Sequence, residues 1–99
     1  MIDAFETPVS VARAVAERAK QRRTAMRLTQ AELAQKAGLS LSAYRRFEQS
    51  GQIAFTSLLQ VAFALDCISD FNALFAGTSW ATMDDMLKQA KSAKRVRHD

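Results

Sequence analysis

The stretch from Thr29 to Gly51, TQAELAQKAGLSLSAYRRFEQSG, leaves this chain the fewest options. Thr29 is a good helix N-cap, and Glu32 three residues later completes a capping box. Leu33, Ala34 and Ala37 follow at helical spacing and make one apolar face. Gly38 tolerates positive φ, which suits the place where a helix has to stop. Leu39 plugs the turn, and Ser40 is the next N-cap. A second helix is predicted from Leu41 to about Gln49, with Tyr44 and Phe47 facing inward. Its outward face opens with Leu41, Ser42 and Ala43 and continues with Arg45, Arg46 and Gln49. Periodicity alone also fits an ordinary helical hairpin with a solvated arginine face.

A helix that begins with small side chains and then presents arginines is suited to the major groove of DNA. Small residues let its N-terminal end approach the bases, and arginine can fork onto guanine. The wider pattern adds Arg23, the run Leu28-Thr29-Gln30, the run Glu32-Leu33-Ala34, the run Ala37-Gly38-Leu39-Ser40, and Glu48. It continues through Leu58-Leu59-Gln60-Val61-Ala62-Phe63-Ala64-Leu65. On these residues the chain resembles the lambda repressor/Cro (Xre) family of helix-turn-helix proteins. The resemblance implies an all-α, lambda-repressor-like DNA-binding domain of five to six short helices. It implies that base reading falls on Ser40, Leu41, Ser42, Ala43, Arg45 and Arg46. It implies that Gln30, in the first turn of its helix, binds phosphate and braces the recognition helix. Arg22, Arg27 and Lys36 are further candidate phosphate contacts. Tyr44 is expected inside, although its hydroxyl could emerge near a phosphate.

Thr7-Pro8 is a helix start, with a capping side chain and then proline at the first helical position. The helix is predicted to run to about Met26, with Val11/Ala12, Val15, Ala19 and Met26 as its apolar stripe. Arg23 falls on that stripe, and a buried arginine needs a carboxylate unless it snorkels to solvent. Glu48, beside Phe47 at the inner edge of the recognition helix, is the expected partner, and the resemblance implies a structural ion pair at these two positions. A further helix is predicted from Thr56 or Ser57 to about Leu65. Leu58, Val61, Ala62 and Leu65 make one stripe on it, and Phe55, Leu59 and Phe63 a second, so it should be buried on two sides. Ser69 is a plausible cap for a short helix carrying Phe71, Leu74 and Phe75, and a last helix is predicted from Met83 to about Ala93. Trp80 could cap the core or anchor an interface.

Charge is segregated along the chain. Residues 9–49 hold nine Lys/Arg against three Glu, residues 50–87 hold four Asp and no Lys or Arg, and residues 88–97 hold five Lys/Arg and no acid. Such polarity suits a polyanion on one side of the domain. The single Cys67 cannot form an internal disulfide, and no run is long enough to span a membrane. These features and the lack of a signal peptide lead us to expect a cytoplasmic protein. The only histidine, His98, lies in the tail, and no metal-ligand spacing or phosphate-binding glycine loop occurs, so no enzyme and no cofactor are expected.

The organisation expected is an arm at residues 1–7, the DNA-binding domain at 8–68, a helical extension at 69–91 and a basic tail at 92–99. Phe55, Leu59, Phe63 and Trp80 form the expected dimer or partner surface. The function expected is a sequence-specific transcriptional repressor that binds operator DNA as a homodimer. Its size and layout are similar to HipB-like antitoxins, which repress their own operon and bind a HipA-like kinase toxin. The alternative is a stand-alone phage- or restriction-type regulator with no toxin partner.

Overall fold

The computed structural model describes residues 6–77 of the chain. Over that range four α-helices and one 3-10 helix follow one another, and no strand occurs among the described residues. They are α1 (Pro8–Ala25), α2 (Gln30–Ala37), α3 (Leu41–Ser50), α4 (Phe55–Ala64) and a 3-10 helix (Ile68–Ala73).

Local chemistry sets the ends of these elements. Thr7 caps α1 through a reciprocal box in which Thr7 Oγ1 accepts from the Ser10 amide at 3.0 Å and Ser10 Oγ accepts from the Thr7 amide at 2.9 Å. The same device starts α2, where the partners are Thr29 and Glu32. Ser40 Oγ accepts from the Ala43 amide and starts α3. Three of the helices end in one motif. The amide of Leu28, Leu39 or Cys67 returns to the carbonyl of Arg23, Ala34 or Ala62 respectively, across a left-handed residue. That residue is Gly38 after α2, but Arg27 (φ 60) after α1 and Asp66 (φ 60) after α4.

The core collects one face from each helix. Ala16, Leu33, Ala34, Ala37, Tyr44, Phe47, Val61, Ala64 and Leu65 are buried together. Each large side chain among them contributes about 1.5–3 kcal/mol by leaving water. α3 packs on α1 and α2, and α2 packs on α4, which in turn carries the 3-10 helix. Tyr44 and Phe47 pack as a tilted ring pair, 6.0 Å between centroids. Gly51 (φ 80) closes the far end of α3 directly on α1. A Cβ there would lie 2.7 Å from the Ala12 carbonyl carbon, so only glycine lets the two helices approach so closely.

The structure departs from the sequence reading in four places. On α1 the buried residues are Ala16 and Arg23; Val15, Ala19 and Met26 of the predicted stripe pack half-buried against the core, whereas Val11 is exposed and Ala16, absent from the predicted stripe, is fully covered. α4 begins at Phe55, earlier than Thr56 or Ser57, behind Ala54, which offers no side-chain cap. The short helix expected to carry Phe71, Leu74 and Phe75 is a 3-10 helix that ends at Ala73 and buries none of its residues. Leu74 and Phe75 lie beyond its end, and Phe75 stands almost fully exposed at φ 63. The second stripe of α4 is only partly covered among the described residues: Phe55 meets the ring of Phe71 edge-on at 6.2 Å between centroids, yet Phe55 and Phe63 are exposed and Leu59 is half-buried. Trp80, the helix expected from Met83 to Ala93, and the basic tail lie outside the described residues, as do residues 1–5 of the arm.

Candidate nucleic-acid interface

α3 separates its two faces cleanly. Tyr44 and Phe47 are buried, while Ser40, Ser42, Ala43, Arg45 and Arg46 are exposed and Leu41 is half-buried. Every third or fourth residue is thus committed to the core, and the six residues expected to read bases share the outer face and its leading end. Ser40 and Ser42 hydroxyls lie 3.4 Å apart there.

What holds this helix in place is a buried polar hub at Glu48. Arg23 Nε donates to Glu48 Oε2 at 2.7 Å, and Arg23 Nη2 donates to Oε1 at 3.1 Å, so guanidinium and carboxylate meet fork to fork. Gln30 Nε2 donates to Oε1 at 2.9 Å, and the Tyr44 hydroxyl donates to Oε2. Arg23 spends its remaining Nη1 on the Leu28 carbonyl at 2.7 Å, tying the α1–α2 turn to the same hub. α1, α2 and α3 are joined through one carboxylate. Burial would by itself push the Glu48 carboxyl up. The hydrogen bonds from Arg23, Tyr44 and Gln30, with the Arg23 charge, outweigh it and hold the group below the usual carboxylate range. Burial, then the bond to anionic Glu48, pushes the Tyr44 hydroxyl well above its ordinary range, so it is a donor throughout the physiological window. The hydroxyl is therefore an internal strut and does not emerge toward a phosphate.

The arginines of the outer face are each met by a glutamine from outside α3. Arg45 Nε donates to Gln30 Oε1 at 3.2 Å, so Gln30 links the hub below it to the exposed arginine above. Arg46 donates through both Nε and Nη2 to Gln52 Oε1, the Nε contact at 3.0 Å. Gln52 lies in the turn after α3, and nothing in the helical period points to it. The Tyr44–Glu48 bond, in contrast, joins residues four apart on one helix and was open to discovery by spacing.

The expected phosphate contacts scatter. Gln30 and Arg45 sit together at the α2–α3 junction. Arg27 is exposed in the turn after α1. Lys36 is exposed and borders a shallow open hollow with Leu59, Phe63 and Ile68, on the α4 side of α2. Arg22 is exposed and bonds within the protein. Its Nε donates to the Leu65 carbonyl at 2.6 Å and its Nη2 to the Asp66 carbonyl at 3.3 Å. A cation on the free carbonyls at the end of α4 both caps that helix and complements its dipole.

Cys67 is half-buried and unpaired among the described residues, and burial raises its thiol pKa, which makes it a poor nucleophile at neutral pH. No described helix is long and apolar enough to cross a membrane.

Residues 20–68 match the helix-turn-helix family model, a span that runs from the C-terminal part of α1 to the first residue of the 3-10 helix. No curated protein gives a significant match to the chain. The all-helical order of the described residues and the matched helix-turn-helix region are consistent with a small lambda-repressor-like fold and support a DNA-binding transcription regulator.

Proposed function

From the helix-turn-helix domain at residues 20–68, we propose that this protein is a sequence-specific transcriptional repressor that binds operator DNA as a homodimer in the cytoplasm. The observation that carries the reading is the division of α3: a leading end of small exposed side chains followed by Arg45 and Arg46, on a helix whose other face is anchored through Glu48. In this reading Ser40, Ser42 and Arg46 make polar contacts to base edges, and Leu41 and Ala43 meet thymine methyls or backbone. Arg45 with Gln30 works at the junction of base and phosphate, and Arg27 adds backbone affinity. A single recognition helix covers only a few base pairs, so two copies on a two-fold axis would read half-sites about one helical turn apart. The apolar edge of Phe55, Leu59 and Phe63 is the surface we assign to that pairing.

The test is selection of duplexes from a random pool by the full chain, followed by titration across salt. A specific site with two-fold symmetry and a log–log salt slope of about −0.9 per phosphate neutralised is expected. Binding that selects no sequence, or that does not vary with salt, would refute the reading. Light scattering on the same sample checks the dimer, and a monomer at high concentration would remove it.

A narrower role, antitoxin of an operon that also encodes a kinase toxin, rests on the resemblance in size and layout alone. It is checked by recovering the protein from its own cells with DNA intact. Its own promoter together with a kinase-like partner supports the narrower role. Promoter DNA without a protein partner leaves the stand-alone regulator.

A further inference from the structure

We infer that Gln52 is a specificity-determining residue of this interface, acting through Arg46, and this rests on the DNA-binding reading above. Arg46 Nε and Nη2 both donate to the single acceptor Gln52 Oε1. One edge of the guanidinium is occupied within the protein. The Nη1–Nη2 edge is left to pair with the O6 and N7 acceptors of guanine, the pattern that one arginine fork recognises bidentately. A free arginine on an exposed helix samples many rotamers and loses that freedom on binding. An arginine already gripped on one edge loses less, so the correct base is favoured without a new contact to DNA.

Gln52 can serve as such a grip because the turn that carries it is itself fixed. Its amide donates to Ser50 Oγ at 3.2 Å, and Ser50 Oγ donates back to the Arg46 carbonyl at 2.7 Å. The Gly51 amide donates to the Phe47 carbonyl at 2.7 Å, and Gly51 lies flat on the Ala12 backbone. The side chain of Gln52 thus springs from a point anchored to both α3 and α1, yet is itself exposed. Ala43, Arg46, Gln52, Ile53, Ala54 and Ser57 line one shallow concavity beside α3, so arginine and glutamine share a wall of the same groove. The contrast with Arg45 is informative. Its glutamine, Gln30, is also bonded to Glu48, so altering Gln30 disturbs the fold, whereas the hydrogen bonds of the Gln52 side chain go to Arg46 and not to the Glu48 hub.

The experiment uses the full chain and the duplex selected by it, with each base pair of the half-site varied in turn. Gln52→Met keeps length and removes the acceptor. Gln52→Glu keeps the acceptor and restores the grip. Arg46→Ala identifies the guanine that Arg46 reads. We expect Gln52→Met to reduce discrimination at that guanine about tenfold, and Gln52→Glu to keep wild-type discrimination while binding all sequences more weakly through its added negative charge. Urea midpoints measured alongside should match wild type for both variants. Wild-type discrimination in Gln52→Met, with discrimination lost in Arg46→Ala, overturns the role of Gln52 and leaves the DNA-binding reading standing. Selection that enriches no sequence with the wild-type chain overturns the DNA-binding reading, and this inference falls with it.

Discussion

Replacing Glu48 with alanine should come close to unfolding the domain. The side chains of Arg23 and Glu48 are 9% and 3% exposed, so their pairing takes place out of water. Removing the carboxylate leaves the Arg23 guanidinium buried without a counter-charge, which costs about 3–5 kcal/mol when one partner of a buried pair is deleted. Gln30 and Tyr44 lose their acceptor as well. Those losses overlap with the first, so we place the total at about 4 kcal/mol. A natural domain has about 5–15 kcal/mol in all, and one of this size belongs near the lower end. Urea titration followed by far-ultraviolet circular dichroism measures the change, and the thermal midpoint should fall by roughly 15–30 °C at the usual sensitivity of small domains. Glu48→Gln should fall between, because an amide oxygen still accepts from Arg23 but carries no charge. A Glu48→Ala destabilisation under about 1 kcal/mol would refute the reasoning, since it would mean that water or a neighbouring group replaces the carboxylate without penalty. Acid offers an independent check on the same hub. The folded carboxyl titrates below its unfolded value, so its contribution is present above about pH 4.3 and is lost as pH falls through the lower, folded value. That portion of the acid dependence should be missing from Glu48→Gln.

Other perturbations separate backbone strain from packing. Gly51→Ala combines an unfavourable φ with collision against Ala12, whereas at Gly38 the nearest atom to an added Cβ is Gln60 Nε2 at 3.6 Å. Urea midpoints should therefore show Gly51→Ala costing about 2–5 kcal/mol and Gly38→Ala about 1–2 kcal/mol. Arg27→Gly relieves a left-handed arginine and should stabilise the domain by up to about 1 kcal/mol, while a salt titration of DNA binding shows whether its charge was also used on phosphate. Arg22→Met removes the cation from the carbonyls of Leu65 and Asp66 and should cost about 1 kcal/mol of stability, with the salt slope of DNA binding unchanged. A shallower slope would show that Arg22 also serves as a phosphate contact.

Much of this domain was legible along the chain because its signals are local. Thr7-Pro8, Thr29 with Glu32, Gly38 and Ser40 each act on atoms within four residues, so helix starts and the turn between α2 and α3 could be read without knowing the fold. The inward position of Tyr44 and Phe47 followed from helical spacing in the same way. The weaker punctuation around α4 and Phe71–Phe75 misled, because Ala54 carries no cap and Asp66 takes a conformation that composition assigns to glycine. The pairing of Arg23 with Glu48 was legible from the stripe, whereas the bonds of Arg22 were decided only in three dimensions. Arg22 and Arg23 are neighbours in sequence, yet one reaches the carbonyls at the end of α4 and the other the carboxylate of α3. The grip of Gln52 on Arg46 likewise depends on Gly51 turning the chain back against Ala12. A hydrogen bond acts over about 3 Å of space whatever the separation along the chain, so residues far apart in sequence acquire their roles only when packing brings them within that distance.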